Sequence, residues 1–170
     1  KKGDLEVNVH APMVATEPGK NNSLPRIVCM MRIKNEEKWI AETLTEISKV
    51  ADAIVILDDG TTDKTPEICK SFPKVVRFEY QCEPIVNEVR DKNKLLCWAL
   101  ELKPDWILAM DGDEVLESKA KEKIMKEIAN CPPEVSALEF EFLYFWDTKK
   151  RYRVDGKYNK LFHPRLFKLA

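Results

Sequence analysis

Glycine is scarce in this chain: five occur in 170 residues. No G-x-G-x-x-G and no G-x-x-x-x-G-K is present, which excludes the dinucleotide fingerprint and the P-loop. Histidine is scarcer still, with two residues, His10 and His163. The five cysteines (Cys29, Cys69, Cys82, Cys97 and Cys131) are scattered and never in C-x-x-C spacing, so a clustered zinc site is excluded. Their pattern suits reduced, packed thiols in a reducing, cytoplasmic compartment. No apolar run reaches the ~18 residues that a membrane span needs. The net charge of −1 argues against a general nucleic-acid binder.

What is present suits a globular domain: 44% apolar and 34% charged residues. Residues 1–24 lack periodicity and read as a tail or linker, and 25–170 as one domain. The apolar run 26–31 reads as a buried strand. A helix over 36–50 follows, with Asn35 as its cap and Trp39, Ile40, Leu44 and Ile47 on one face. Ala53–Leu57 predicts a second strand, Thr65-Pro66 a helix start, and Val75–Phe78 a third strand. A long helix is predicted over 86–102, with Val89, Leu96 and Leu100 as its stripe. Trp106–Met110 predicts a fourth strand, about 118–130 a helix, and Ala137–Phe145 a strand with one wetter face. Alternating buried strands and helices predict an α/β fold, layered α/β/α, with a mainly parallel central sheet.

Ligands of such sheets bind outside the carboxyl ends of the strands. Two acidic clusters fall there, Asp58-Asp59 and Asp111-Gly112-Asp113, and both are expected to face one crevice. Asp111 and Asp113, one residue apart after a buried strand, suit a hard cation such as Mg²⁺ or Mn²⁺ that bridges to a substrate phosphate. Taken alone, each cluster also reads as a solvated turn, with Asp63 or Thr65 capping a helix. From Lys149 to Ala170 there are eight Lys or Arg and one Asp, which leaves −8 on residues 1–148. That basic segment suits an anionic ligand, or contact with an anionic membrane or another domain.

Three pieces in this order, "KNEEKWIAETL", "ILDDGTTDKT" and "DWILAMDGDE", with Arg90-Asp91-Lys92-Asn93 between the last two, resemble family 2 glycosyltransferases of the GT-A fold. The resemblance covers roughly residues 25–117. It implies a nucleotide-binding, Rossmann-like half and an inverting transfer from a nucleoside-diphosphate sugar, with UDP the favoured carrier. The acceptor it implies is a hydroxyl of a glycan or lipid-linked saccharide. It places Arg32, Lys34, Asn35 and Glu36 along base and ribose. Asp58 and Asp59 would contact uracil or ribose, and Arg90 the base or pyrophosphate. Asp111 would touch ribose and metal, and Asp113 the metal. His163 is a candidate further metal ligand, with a structural histidine as the plain alternative. For the catalytic base Asp155 is chosen over Glu139, Glu141 and Asp147, with a turn aspartate as the alternative. Arg90 also reads as part of a solvated helix face. Two other readings compete: a haloacid-dehalogenase-like phosphatase, from the apolar strand before Asp111-Gly112-Asp113, and a nucleotide-sugar-binding module without turnover.

Overall fold

The computed structural model describes residues 4–6, 24–82 and 87–168. Most of the predicted tail therefore lies outside the described residues. In chain order the elements are β1 (Asp4–Glu6), β2 (Ile27–Ile33), α1 (Ile40–Val50), β3 (Ala53–Asp59), α2 (Thr65–Lys70), β4 (Val75–Gln81), α3 (Glu88–Glu101) and β5 (Trp106–Asp111). They continue with β6 (Val115–Leu116), α4 (Ala120–Asn130), β7 (Ala137–Phe142), β8 (Phe145–Trp146), β9 (Thr148–Tyr152), a single 3₁₀ turn at Gly156–Tyr158, and β10 (Leu161–Lys168).

One sheet runs in the order β4-β3-β2-β5-β10-β7-β1-β6, and β8 pairs with β9 as a separate hairpin. Strands β4, β3, β2 and β5 are mutually parallel. From β5 onward β10 runs antiparallel to β5 and β7, β7 runs antiparallel to β1, and β1 pairs with β6 in parallel. The fold is thus α/β with a parallel half and an antiparallel extension.

The parallel half forms as the sequence predicts, because both faces of its strands are covered. Every residue of β3 is buried. Side chains alternate across a strand, so two cores result. Ile27, Cys29, Met31, Ile54, Ile56 and Leu108 pack beneath α1 and α4. Val28, Val55, Leu57 and Ile107 pack beneath Leu95, Trp98 and Ala99 of α3.

Two local expectations are corrected. The helix after β2 starts at Ile40 and Asn35 does not cap it; Asn35 sits five residues earlier in a left-handed conformation (φ 54°), which Asn tolerates well. The stripe predicted for α3 is out of phase. Val89 is 72% and Leu100 41% exposed, whereas Asp91, Leu95, Trp98 and Ala99 are buried. The spacing i, i+4, i+7, i+8 is a sound helical face, but it begins with an aspartate, and an apolar pattern passes over it.

Strands β1, β6, β9 and β10 were not predicted. β1 lies within the stretch read as a tail, and β1 and β6 span three and two residues. β10 carries Pro164, which argues against an interior strand. The structure accommodates it at a register shift between Pro164 and Leu166 in the pairing with β7.

Candidate active site

The strand pleat decides which acidic residues share a face. Arg32 and Asp59 follow the parity of Val28, Val55 and Leu57, so both lie on the α3 side of the sheet. There the Arg32 guanidinium pairs with Asp59 through Nη2 and reaches Asp91 Oδ2 through Nε at 3.1 Å. Asp91 is fully buried. Arg90 Nε donates to its Oδ1 at 2.9 Å. Burial pushes the Asp91 carboxyl up, but hydrogen bonds from Gln81 and Arg90 and the charges of Arg90 and Arg32 hold it below the usual carboxylate range. Gln81 Nε2 also approaches Asp59 Oδ1 at 3.4 Å. Arg32 therefore ties β2, β3 and α3 together.

Asp58 has the opposite parity. It is fully buried, and its Oδ1 accepts from Thr61 N at 2.9 Å. Its Oδ2 is buried and has no hydrogen-bond partner among the described residues. The expectation that Asp58 and Asp59 face one ligand together does not fit a residue period of two. Asp58 holds the turn into Gly60 (φ 78°), and Asp59 faces the crevice.

The loops after β2 and β3 are laced to each other. Asn35 N donates to Thr61 Oγ1 at 3.0 Å, and Thr62 N to Asn35 Oδ1 at 2.8 Å. Glu36 N donates to Thr65 Oγ1 at 2.8 Å, and Glu37 N to Asp63 Oδ2 at 3.1 Å. The hydrogen bonds that Asp63 accepts from Thr65 and Glu37 outweigh its desolvation and lower its pKa. Asn35 thus positions a loop through its amide oxygen. Lys34, beside it, is exposed.

Glu36 reaches the third cluster. A Cβ on Gly112 would stand 2.7 Å from Glu36 Cγ and 3.1 Å from Ile33 Cγ2, so only glycine lets the two loops meet this closely. Thr43 Oγ1 donates to Gly112 O at 3.0 Å and pins the same peptide from α1. Asp111, at the end of β5, is in register with Arg32 of β2. Its side chain is 44% exposed. Glu114, 1% exposed, accepts from Asp111 N through Oε2 at 3.0 Å. Arg165 of β10 pairs with Glu114 and reaches Asp111 Oδ2 at 3.4 Å.

The ends of β2, β3 and β5 and the first turn of α3 thus bring Arg32, Asp59, Arg90, Asp91 and Asp111 to one side of the sheet, with Glu36 against Gly112 and Asp113 partly buried. His163 does not join them: its ring packs edge-on against Phe142, 4.9 Å between centroids. Among the described residues no three His, Cys, Asp or Glu side chains form a group that could hold a metal by itself. Asp111 and Asp113 remain a fitting pair for Mg²⁺ or Mn²⁺, ions commonly held by one or two carboxylates with the other ligands from phosphate and water.

Asp155 is placed differently from what a general base needs. Its side chain is 67% exposed, and both oxygens are on Arg153, at 3.0 and 2.7 Å. That pairing lowers its pKa and weakens it as a proton acceptor. Asp91, Glu114 and Arg165 are the site residues that sequence reasoning missed. The buried phase of α3 could have revealed Asp91. Arg165 lies 54 positions beyond Asp111, on a strand no local pattern announced.

Comparison with known proteins agrees with this architecture. The family described as "Glycosyl transferase family 2" matches residues 29–169. An uncharacterised protein of Mycobacterium tuberculosis is 29% identical over 128 residues, covering 72% of this chain and 31% of its own length. The SPbeta prophage-derived glycosyltransferase SunS of Bacillus subtilis is 27% identical over 147 residues, covering 81% of this chain and 33% of its own length. The chain spans about a third of the length of these relatives. Among solved structures, a 4-diphosphocytidyl-2C-methyl-D-erythritol synthase superposes with a TM-score of 0.52 at 16% identity, over 85% of this chain and 75% of that one, a likeness of fold. Glucosyl-3-phosphoglycerate synthase from Mycobacterium tuberculosis gives a TM-score of 0.48 at 15% identity, over 74% of this chain and 49% of that one.

Proposed function

This chain belongs to glycosyl transferase family 2, and on that premise we propose that it binds a nucleoside-diphosphate sugar, with UDP as carrier, and transfers the sugar with inversion to a hydroxyl of a glycan or lipid-linked saccharide. The observation that carries the reading is the interlocked crevice: Arg32 held between Asp59 and Asp91, in register with Asp111. Such a site is organised before ligand arrives. A preformed polar site needs little reorganisation when charge develops in it.

Each part of the crevice has a task in that reaction. Asp59 accepts hydrogen bonds from a base or ribose, and Arg32 and Asp91 fix its carboxylate. Arg90 and the exposed Lys34 supply positive charge for the diphosphate. Asp111 and Asp113 would hold Mg²⁺ or Mn²⁺, which stabilises the negative charge that grows on the leaving diphosphate. Glu114 and Arg165 orient Asp111 from behind. In the transfer a bond forms between the acceptor oxygen and the anomeric carbon as the bond to the diphosphate oxygen breaks. The acceptor's proton passes to a base on the opposite face of the sugar. With both oxygens on Arg153, Asp155 holds its own loop and is assigned no proton.

The test is nucleotide release from UDP-, GDP- and dTDP-sugars by the wild type and by Asp59→Ala. Release from one donor class, reduced in the variant, supports the reading. Release of inorganic phosphate from phosphomonoesters with a phosphoryl group on Asp111 would support the phosphatase instead. Binding of the donor with neither transfer nor hydrolysis would leave a binding module.

A further inference from the structure

Beyond the crevice the antiparallel half carries a second concavity. A cavity of about 440 Å³ opens beside the β8–β9 hairpin, walled by Tyr144, Trp146, Tyr158, Arg151, Arg153 and Asp147. Its volume lies within the range of small-ligand sites. A chain of side-chain contacts links its wall to the acidic site. Arg165, which reaches Asp111, lies 4.9 Å from the Phe142 ring centroid; Phe142 is 6.3 Å from Tyr144, and Tyr144 is 5.0 Å from Tyr158.

The walls are fixed in place. Arg153 stacks on Tyr158 at 3.8 Å and is tied to Asp155 by two hydrogen bonds. Tyr144 meets Tyr158 edge to face. Two features are only partly used by the fold. Arg153 lies over the Trp146 ring at 5.8 Å, yet Trp146 is 64% exposed and could bury substantial further apolar area. The Arg151 guanidinium has no ion-pair partner among the described residues. A second hollow of about 520 Å³ shares Trp146, Arg151 and Arg153, so these side chains border both spaces.

Aromatic faces beside an uncompensated guanidinium suit a particular ligand chemistry. Sugar rings present apolar C–H faces that stack on aromatic rings, and a guanidinium forks onto a carboxylate or phosphate. We propose that this pocket is the acceptor subsite and that the acceptor is a saccharide carrying an anionic group. The proposal rests on the glycosyltransferase reading for the word acceptor; the pocket's preference for an anionic saccharide stands on its own residues.

The test is a titration of the full chain with trigalacturonate, glucose 6-phosphate, maltotriose and inorganic phosphate, read by tryptophan fluorescence, with Trp146→Phe as the control for signal origin. Arg151→Gln is titrated in parallel, and UDP binding by calorimetry is measured on every sample. The expected result is binding of trigalacturonate or glucose 6-phosphate at least about tenfold tighter than maltotriose, roughly 1.4 kcal/mol. Arg151→Gln removes that preference and leaves UDP affinity within about twofold, because the exposed Arg151 lies outside the nucleotide crevice. The trigalacturonate and glucose 6-phosphate arms tell a carboxylate from a phosphate. Equal affinity for maltotriose, an unchanged preference in Arg151→Gln, or inorganic phosphate binding as tightly as the sugars would each overturn the proposal. Loss of UDP binding in the wild type would count against the nucleotide reading alone.

Discussion

The two halves of this sheet treat polar side chains in opposite ways. In the parallel half Asp59 and Asp91 are 0–6% exposed, and both are locked to Arg32 across β2, β3 and α3. In the antiparallel half and its hairpin, Trp146, Tyr152 and Val154 are 51–64% exposed, and Arg151 has no ion-pair partner among the described residues. A buried, mutually satisfied network holds one geometry, which suits recognition of a constant chemical group. An exposed rim of aromatics and arginines keeps surface free for a partner. On the proposed reading, the interlocked half is the donor side and the exposed half the acceptor side.

This contrast can be broken at its joint. Arg165, in the antiparallel half, reaches Asp111 and pairs with the almost fully buried Glu114, and Arg165→Ala removes that pair. A loss of about 3 kcal/mol is expected, since removing one partner of a buried pair strands the other charge. Urea denaturation measures it, and a cost under about 1 kcal/mol would show that Glu114 is compensated elsewhere. A smaller loss, about 2 kcal/mol, is expected for Asp91→Asn, because Arg32 and Arg90 are partly exposed and can recover water. That difference depends on pH. Asp91 has a lowered folded pKa, so its contribution is present above the unfolded value of about 4 and is lost as pH falls through the folded one. The gap between wild type and variant should narrow from pH 7 to pH 3.

A finer comparison lies within one dipeptide. Asp59→Asn should weaken UDP binding about tenfold, as a charge-assisted hydrogen bond is lost. Asp58→Asn should leave affinity within about twofold, because Asp58 faces the other side of the sheet and an amide oxygen still accepts from Thr61 N. Calorimetry on both variants decides whether the pleat separates their roles. The smallest effect belongs to the rim: Tyr152→Ser, at a half-exposed position, should change stability by no more than about 0.5 kcal/mol in the same urea assay.

Legibility followed the same division. β2, β3 and β5 are largely apolar runs, and β3 and β5 end in acidic residues, so the strands and the acidic groups at their ends could be read together. Asp111-Gly112-Asp113 and Asp59 stand out in the sequence because a strand end is a local signal. β10 was hidden because Pro164 contradicts a central strand, and the shift that tolerates it is a tertiary feature. Arg165 was hidden with it. Asp91 was missed because α3 buries a charge in its apolar stripe, and the hydrophobic pattern alone pointed to Val89 and Leu100. Asp155 was mislaid for a related reason. A loop aspartate amid basic residues resembles a site residue, and its attachment to Arg153, two positions away, is decided by side-chain geometry.

The central claim is that the crevice holds a nucleoside diphosphate through Asp111, Asp113 and a divalent ion. Calorimetry of UDP, with and without Mn²⁺, on the wild type and on Asp113→Ala tests it most directly. Binding is expected to strengthen at least about tenfold with Mn²⁺ in the wild type and to lose that gain in the variant. UDP affinity that is the same with and without Mn²⁺, or unchanged by Asp113→Ala in a folded protein, would contradict it.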